Sequence, residues 1–290
     1  MVIPIRKRGA SRTTVRRTIP NRGLLCCVLA LGLAACGQDL PTLPFNPDPL
    51  VYLALSPAPD PSRPMHALLA TMGTPVHSEY RDAELFEMKR ASDGAMFAWR
   101  TLPVSGTVPI SFLGTLADSI PANFVLDDEH DPGLLGRGDI VPGKTYTLDI
   151  TTDGVTIHGE TTVPAQVVPA IDTAAGDTVV HWGAAAGAAG YEVTGSVPAG
   201  IGVSEIFAIT TDTIVTIHAP FILGGATVPP DAVETIRVVA LDANLFRYVS
   251  DQTVTRAGID AGFGAFGSFT EALLTRPIAA DPAPERIGTR

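Results

Sequence analysis

Cysteine is scarce in this 290-residue sequence and confined to its first part, where the three cysteines are Cys26, Cys27 and Cys36. The chain beyond Cys36 can therefore form no internal disulfide and must be stabilised by the burial of apolar surface. Aromatic residues are also sparse, at 6%, whereas the sequence holds 28 glycines and 25 prolines. This balance favours short strands joined by turns over long helices.

Basic residues are scarce once the first 35 residues are set aside. That segment holds seven of the 20 Lys and Arg residues and none of the 30 acids, so the rest has 13 bases against 30 acids, a formal charge of −17. Nucleic-acid binding needs a basic surface, and anionic lipid headgroups repel an acidic one. The charge predicts no nucleic-acid partner and no electrostatic binding to a membrane.

Catalytic motifs are also absent. The sequence contains no Gly-x-Ser-x-Gly, no His-Glu-x-x-His and no phosphate-binding loop with Lys. No two of the six histidines have zinc-site spacing, and those in predicted strands are expected to be solvated; the six are His66, His77, His130, His158, His181 and His218. We expect a protein without catalytic residues or cofactor, although the distant carboxylate pair of a carbohydrate-active enzyme would leave no local motif.

One acidic cluster is a weak candidate for a metal site, because its crowded oxygen ligands could hold Ca²⁺. Its spacing does not match a calcium-binding EF-hand loop, and a solvated loop is the favoured interpretation. The cluster comprises Asp127, Asp128, Glu129 and Asp131.

The N-terminal segment has the order of an export signal. Residues 1–23 are basic, and Leu24–Ala35 is an apolar run shorter than the roughly 20 residues of a membrane span. The run ends in Leu33-Ala34-Ala35-Cys36, which resembles the bacterial lipobox. The resemblance implies that residues 1–35 are a lipoprotein signal peptide and that Cys36 becomes the lipidated, palmitate-bearing N-terminus of an envelope protein.

Residues 36–49 are rich in proline and are predicted to be an extended tether between the lipid and the first domain. Gly37, rather than Asp, follows Cys36, and the resemblance to the enterobacterial lipoprotein sorting pattern implies the outer membrane. The far end, residues 276–290, is rich in proline, alanine and charge, and is predicted to be a disordered tail.

Alternating hydrophobicity predicts an all-β fold of two tandem β-sandwich domains, residues 50–164 and residues 165–275. The clearest hairpin is Lys144–Val163, with its turn at Asp153-Gly154, and a second is predicted around Asp93-Gly94. Only two short segments have helical patterns, Met65–Met72 and Ser268–Thr275.

The second domain resembles a fibronectin type III module. The shared motifs are a strand bearing Trp182, a Tyr191-x-Val193 strand and a later strand that runs into Ala240-x-Asp242. The resemblance implies that Trp182 and Tyr191 are core residues of two facing sheets. The glycine-rich segment 260–268 departs from this pattern and takes the place of a clean last strand. We interpret Gly262–Gly267 as a tight turn whose phenylalanines pack on the second domain.

The whole mature chain resembles surface lipoproteins of unknown function that are often associated with outer-membrane uptake systems. Two motifs carry this resemblance. They are Pro142-Gly143-Lys144-x-Tyr146-x-Leu148, in a strand of the first domain, and Thr162-Val163-Pro164, with which that domain ends. The implied role is non-catalytic binding or scaffolding, with an envelope protein or a polysaccharide as partner. A structural envelope component without ligand and a glycan-binding module or carbohydrate-active enzyme are the alternatives.

Overall fold

The structure is a computed structural model. The residues it describes are 48–57, 66–74, 77–104, 107–108, 122–126, 133–174, 177–198, 202, 204–218, 220, 222–223, 228–251 and 253–278. Within them no helix is long and apolar enough to cross a membrane.

Strands make up most of the regular structure of the described residues, which confirms the predicted all-β fold. The first nine strands are β1 Pro49–Leu55, β2 His66–Thr74, β3 His77–Tyr80, β4 Leu85–Arg90, β5 Trp99–Thr101, β6 Thr107–Val108, β7 Phe124–Leu126, β8 Thr145–Thr152 and β9 Val155–Thr162. The remaining elements are β10 Pro169–Ala174, β11 Asp177–Trp182, β12 Gly190–Ser196, β13 Glu205–Thr210, β14 Ile214–Ile217, β15 Val233–Leu241, helix α1 Ala243–Ser250, β16 Arg256–Ala257 and β17 Phe263–Pro277.

The first sandwich packs the three-stranded sheet β4-β8-β9 against a sheet that contains β17, β1, β2 and β7. The predicted hairpin at Asp153-Gly154 is confirmed as β8 and β9, paired over their full length. Alternation along β8 buries one face and leaves the other partly open, because successive side chains of a strand point to opposite faces. The inward side chains Tyr146, Leu148 and Ile150 join this core.

The second sandwich packs β10-β11-β14 against β13-β12-β15-β17. Trp182 lies on β11 of one sheet and Tyr191 on β12 of the other, with ring centroids 5.1 Å apart at 61°. The Tyr191 hydroxyl accepts a hydrogen bond of 2.8 Å from the Ala185 amide, which satisfies its buried polar end. This arrangement confirms the predicted fibronectin-like sandwich and the core positions of both aromatic residues.

Strand β17 takes part in both sandwiches. Its first part, Phe263–Ser268, pairs in parallel with β1, and its second part, Phe269–Pro277, pairs antiparallel with β15. Phe266 is fully buried in the first core, whereas Leu274 packs on the second. One sheet therefore continues from the first sandwich into the second.

The interpretation of Gly262–Gly267 as a tight turn was wrong, and so was the expectation that no clean last strand follows. Gly264, within β17, has a φ of +98°, and a Cβ there would overlap the carbonyl oxygen of Val51. A Cβ on Gly267 would come within 2.6 Å of the Leu245 side chain. The glycines are needed because β1 and α1 approach this strand too closely for side chains.

Both predicted helices were also wrong, because Met65–Met72 overlaps β2 and Ser268–Thr275 lies in β17. Leu and Ala favour helices intrinsically, but pairing and burial override that preference. In β2, the side chains of Ala67–Ala70 are fully buried, so the strand shows no alternation between polar and apolar residues.

The hairpin predicted around Asp93-Gly94 is confirmed only at its tip. The amide of Arg90 donates to the carbonyl of Ala95, and that of Phe97 to the carbonyl of Met88. Beyond Ala98 the chain leaves β4, and β5 pairs with β7 in the opposite sheet. The turn chemistry is local and was recognisable, whereas the change of sheet depends on tertiary packing.

Candidate functional site

The residues singled out from the sequence as sites lie outside the described part of the chain. They are Cys36, the predicted lipidation site, and the acidic cluster of Asp127, Asp128, Glu129 and Asp131. Lipidation of Cys36 and the weak calcium hypothesis therefore stay predictions.

A shallow polar cleft of about 480 Å³ lies on the outer face of the β8–β9 hairpin. Thr147 and Asp149 on β8 and His158 and Glu160 on β9 face it, because they alternate with the buried residues of these strands. The segment 258–260 forms the far wall of the cleft. The amide of His158 donates to Asp260 Oδ1 over 2.7 Å, and the amide of Asp260 donates to the carbonyl of His158 over 2.9 Å.

The charged groups of this cleft are engaged with one another. His158 Nδ1 lies 2.6 Å from Asp149 Oδ1, and this hydrogen bond raises the pKa of His158 above its usual range. Lys89 Nζ lies 2.6 Å from Glu87 Oε2 and 3.9 Å from Asp149 Oδ2. In the described parts of the chain, no three His, Cys, Asp or Glu side chains converge as a metal site requires. The side chains of the cleft therefore form ion pairs and hydrogen bonds across the β8–β9 hairpin and to Lys89 on β4.

The strand histidines expected to be solvated are confirmed as exposed. The side-chain exposure is 61% for His158, 43% for His181 and 68% for His218. His181 Nε2 lies 3.0 Å from Asp172 Oδ2 on the neighbouring strand β10. His66 and His77 begin strands β2 and β3, and His130 lies outside the described residues.

A buried polar cluster lies where the two sandwiches meet. The sequence motifs did not predict it. Asp242 Oδ2 accepts from the hydroxyl of Thr161 on β9 over 2.5 Å, and that hydroxyl lies 2.7 Å from Ser268 Oγ on β17. Asp242 Oδ1 accepts from the Leu245 amide over 2.8 Å and so caps helix α1. Asp before an apolar segment is a helix-start signal that could have revealed the cap. The cluster joins β9, β17 and α1.

Burial raises the pKa of Asp242 above its usual range, although hydrogen bonds from Thr161 and Leu245 act in the opposite sense. Because the folded-state pKa is the higher one, the folded chain binds more protons, and stability falls as pH rises from about 4 through that pKa. We expect Asp242→Asn, which keeps the acceptor and cannot ionise, to remove this decline. Urea unfolding between pH 4 and pH 8 measures it. A stability difference from the wild type that is independent of pH would contradict the assignment.

The outer face of the four-stranded sheet carries exposed apolar side chains on strand β13. A β-bulge at Phe207 shifts the register of β13, so that Ile209 lies opposite Glu192 and Ile206 opposite Thr194. Directly opposite residues share a face, so the bulge brings both isoleucines to the outer face. Ile206 is 60% exposed and Ile209 is 38% exposed.

The same face is polar at its centre. Arg237 on β15 lies between Thr194 on β12 and Leu273 on β17, and its Nε is 2.5 Å from Glu271 Oε2. Its guanidinium also lies 5.6 Å from the ring centroid of Phe269. The exposed apolar side chains of this face are therefore found at strand β13, at the edge of the sheet, and at Leu273, away from that edge.

No protein-family model matches the chain. No curated protein matches it in sequence. Among solved structures, the chain is similar to domains A168–A170 of titin, at 10% identity and a TM-score of 0.22. The match covers 80% of this chain and 66% of the titin chain, slightly under two thirds. A TM-score this low does not support a shared fold. The fold assignment rests on the strand order described above.

Proposed function

We propose that this chain is a lipid-anchored protein of the bacterial envelope that binds or scaffolds another envelope component without catalysis. The observation that carries the proposal is the single strand β17, which runs through both sandwiches. Because sheet hydrogen bonds continue across the junction, the two sandwiches form one rigid unit. A rigid unit suits the holding of a partner at a defined position.

The direction of the chain supports the same role. Strand β1 begins at Pro49, and the next residue, Leu50, lies opposite Phe263, the first residue of β17. From there β17 extends for 15 residues, or about 45 Å, to the far end of the second sandwich. A tether that ends at residue 49 would therefore join the first sandwich and leave the second sandwich farther from the anchor.

The two tryptophans, both among the described residues, give the glycan-binding alternative no support. Sugar rings pack on exposed aromatic side chains, and the sequence has two tryptophans, Trp99 and Trp182. Trp182 is 5% exposed in the second core, and Trp99 packs against Phe86 with ring centroids 5.2 Å apart. Both indoles support the cores, so a protein partner is the favoured one.

The anchor is tested by Cys36→Ala in the full-length chain. Loss of the thiol should abolish labelling by an alkyne-tagged palmitate and release the protein from the membrane fraction, because the acidic chain has no electrostatic hold on headgroups. Cys27→Ala, within the predicted signal peptide, is the matched control and should keep both label and membrane association. Label retained by the Cys36→Ala variant would refute the anchor.

The binding role is tested by affinity capture of the full-length protein after detergent extraction from membranes. A chain that ends at Ala261, and so lacks β17, is the control for capture by unfolded protein. An envelope component enriched with the full chain and not with the control would support the role. Equal recovery from both would contradict binding and leave the structural alternative.

A further inference from the structure

Among the described residues, strand β13 is the last strand of its sheet, where it pairs with β12 and with no strand on its other side. Proteins commonly protect such edges with Lys, Pro, inward-pointing charges or β-bulges, because unpaired N–H and C=O groups invite another strand. The segment Glu205–Thr210 carries a single charge, at its first residue, and no proline.

The β-bulge is one such protection, but in β13 it leaves apolar side chains exposed. The bulge at Phe207 turns Ile206 and Ile209 to the same outer face, where both are exposed. Without the bulge, two residues three positions apart in a strand would point to opposite faces. The bulge therefore places an apolar pair beside main-chain groups that no described strand pairs with, which is the combination that recognises an extended strand.

We propose that β13 is the edge through which a second copy of this chain binds, strand against antiparallel strand about a two-fold axis. The argument for this occupant is the self-complementary order Ile-Phe-Ala-Ile at residues 206–209. Antiparallel pairing sets Ile206 of one copy against Ile209 of the other, on one face. It also sets the large Phe207 against the small Ala208.

The charges of the edge are compatible with this pairing. In the same register Glu205 faces Thr210 of the second copy, so no two carboxylates are opposed across the strand pair. The formal charge of −17 beyond residue 35 repels the two copies at long range. Because salt screens that repulsion, the dimer should tighten between about 50 mM and 500 mM salt.

This inference rests on the proposed binding role and names a second copy of the chain as the partner. Pairing through β13 does not require lipid on Cys36. A six-residue edge buries less than the roughly 1,200–2,000 Å² of a typical stable interface, so we expect a weak dimer. Sedimentation equilibrium of the full-length chain in detergent, up to about 200 µM, covers this affinity range. The wild type should show a concentration-dependent dimer.

The decisive variant is Ile206→Lys with Ile209→Lys, which adds the charge that natural edges carry. It should weaken the dimer by about tenfold or more. The matched control is Leu273→Lys, because Leu273 is 55% exposed on the same sheet face but lies on β17, away from the edge. Since both sites are exposed, these variants should keep the wild-type melting temperature.

Cross-linking identifies the pairing strands directly. Ile206→Cys with Ile209→Cys should give a covalent dimer on oxidation with copper phenanthroline, and Leu273→Cys alone should not. A monomer across the concentration range would overturn the proposal and leave a strand of another protein as the occupant. A dimer that Leu273→Lys weakens as strongly as the edge variant would also overturn it, because the face and not the edge would then be the interface.

Discussion

A chain that ends at Ala261 is expected to lose the cooperative folding of both sandwiches. The truncation removes β17, and with it Phe266 from the first core and Leu274 from the second. It also removes the strand that pairs with both β1 and β15. The loss of Phe266 alone should cost about 3–5 kcal/mol. The loss of stability caused by the full deletion should exceed the roughly 5–15 kcal/mol that stabilises a typical domain.

Thermal unfolding followed by circular dichroism measures this effect. The matched control ends at Ile278 and keeps the whole of β17, so its melting temperature should equal that of the wild type. If the chain ending at Ala261 retained a cooperative transition at the wild-type temperature, the first sandwich would be independent of β17. That outcome would contradict the shared-strand description.

Trp182→Ala is expected to destabilise the second sandwich by about 3–5 kcal/mol. The indole is nearly fully buried, and its edge-to-face contact with Tyr191 joins the two facing sheets. A cavity at this position removes contacts from both sheets at once. Trp182→Phe keeps an aromatic ring in the core, and we expect it to cost less.

The same substitution also tests whether the sandwiches unfold together. The sequence has two tryptophans, so Trp182→Ala leaves Trp99 of the first sandwich as the fluorescent reporter. Because β17 belongs to both cores, urea unfolding reported by Trp99 should shift to lower urea together with the transition seen by circular dichroism. An unmoved Trp99 transition beside a separate second transition would show that the sandwiches unfold independently.

The parts of the fold that sequence predicted are those whose signals are local. The β8–β9 hairpin follows from strict alternation and the Asp153-Gly154 turn, where both residues have a positive φ. The positions of Trp182 and Tyr191 follow from short motifs within single strands. The predicted bounds of the two domains, 50–164 and 165–275, stay a prediction, and β17 crosses between the two cores that they describe.

Two of the failed interpretations, the helix over Met65–Met72 and the turn at Gly262–Gly267, share a physical cause. Strand β2 and the first part of β17 contain runs of buried residues, so the alternation that identifies a strand is lost there. In β1, Val51 and Leu53 face the first core, whereas Tyr52 packs on Tyr248 of α1 at 5.9 Å. Periodicity cannot distinguish such a run from a helix, because both are apolar on every side.

The candidate sites divide in the same way. The export signal and the lipidation of Cys36 were predicted from contiguous motifs, and they stay predictions. The exposed strand histidines were recognised because alternation is local. The Asp242 cluster joins residues up to 107 positions apart in sequence, Thr161 and Ser268, and no local pattern brings them together.

The sequence by itself determined the β-rich class, the strongly acidic composition beyond residue 35 and most strands of the second sandwich, and it predicts an anchor at Cys36. These depend on composition, on short-range alternation or on contiguous motifs. The tertiary structure alone decided that β17 serves both cores, that the glycines at 262–267 admit close neighbours, and that β13 is the last strand of its sheet among the described residues. These depend on which strands pair, and pairing is a property of the whole fold that no single segment encodes.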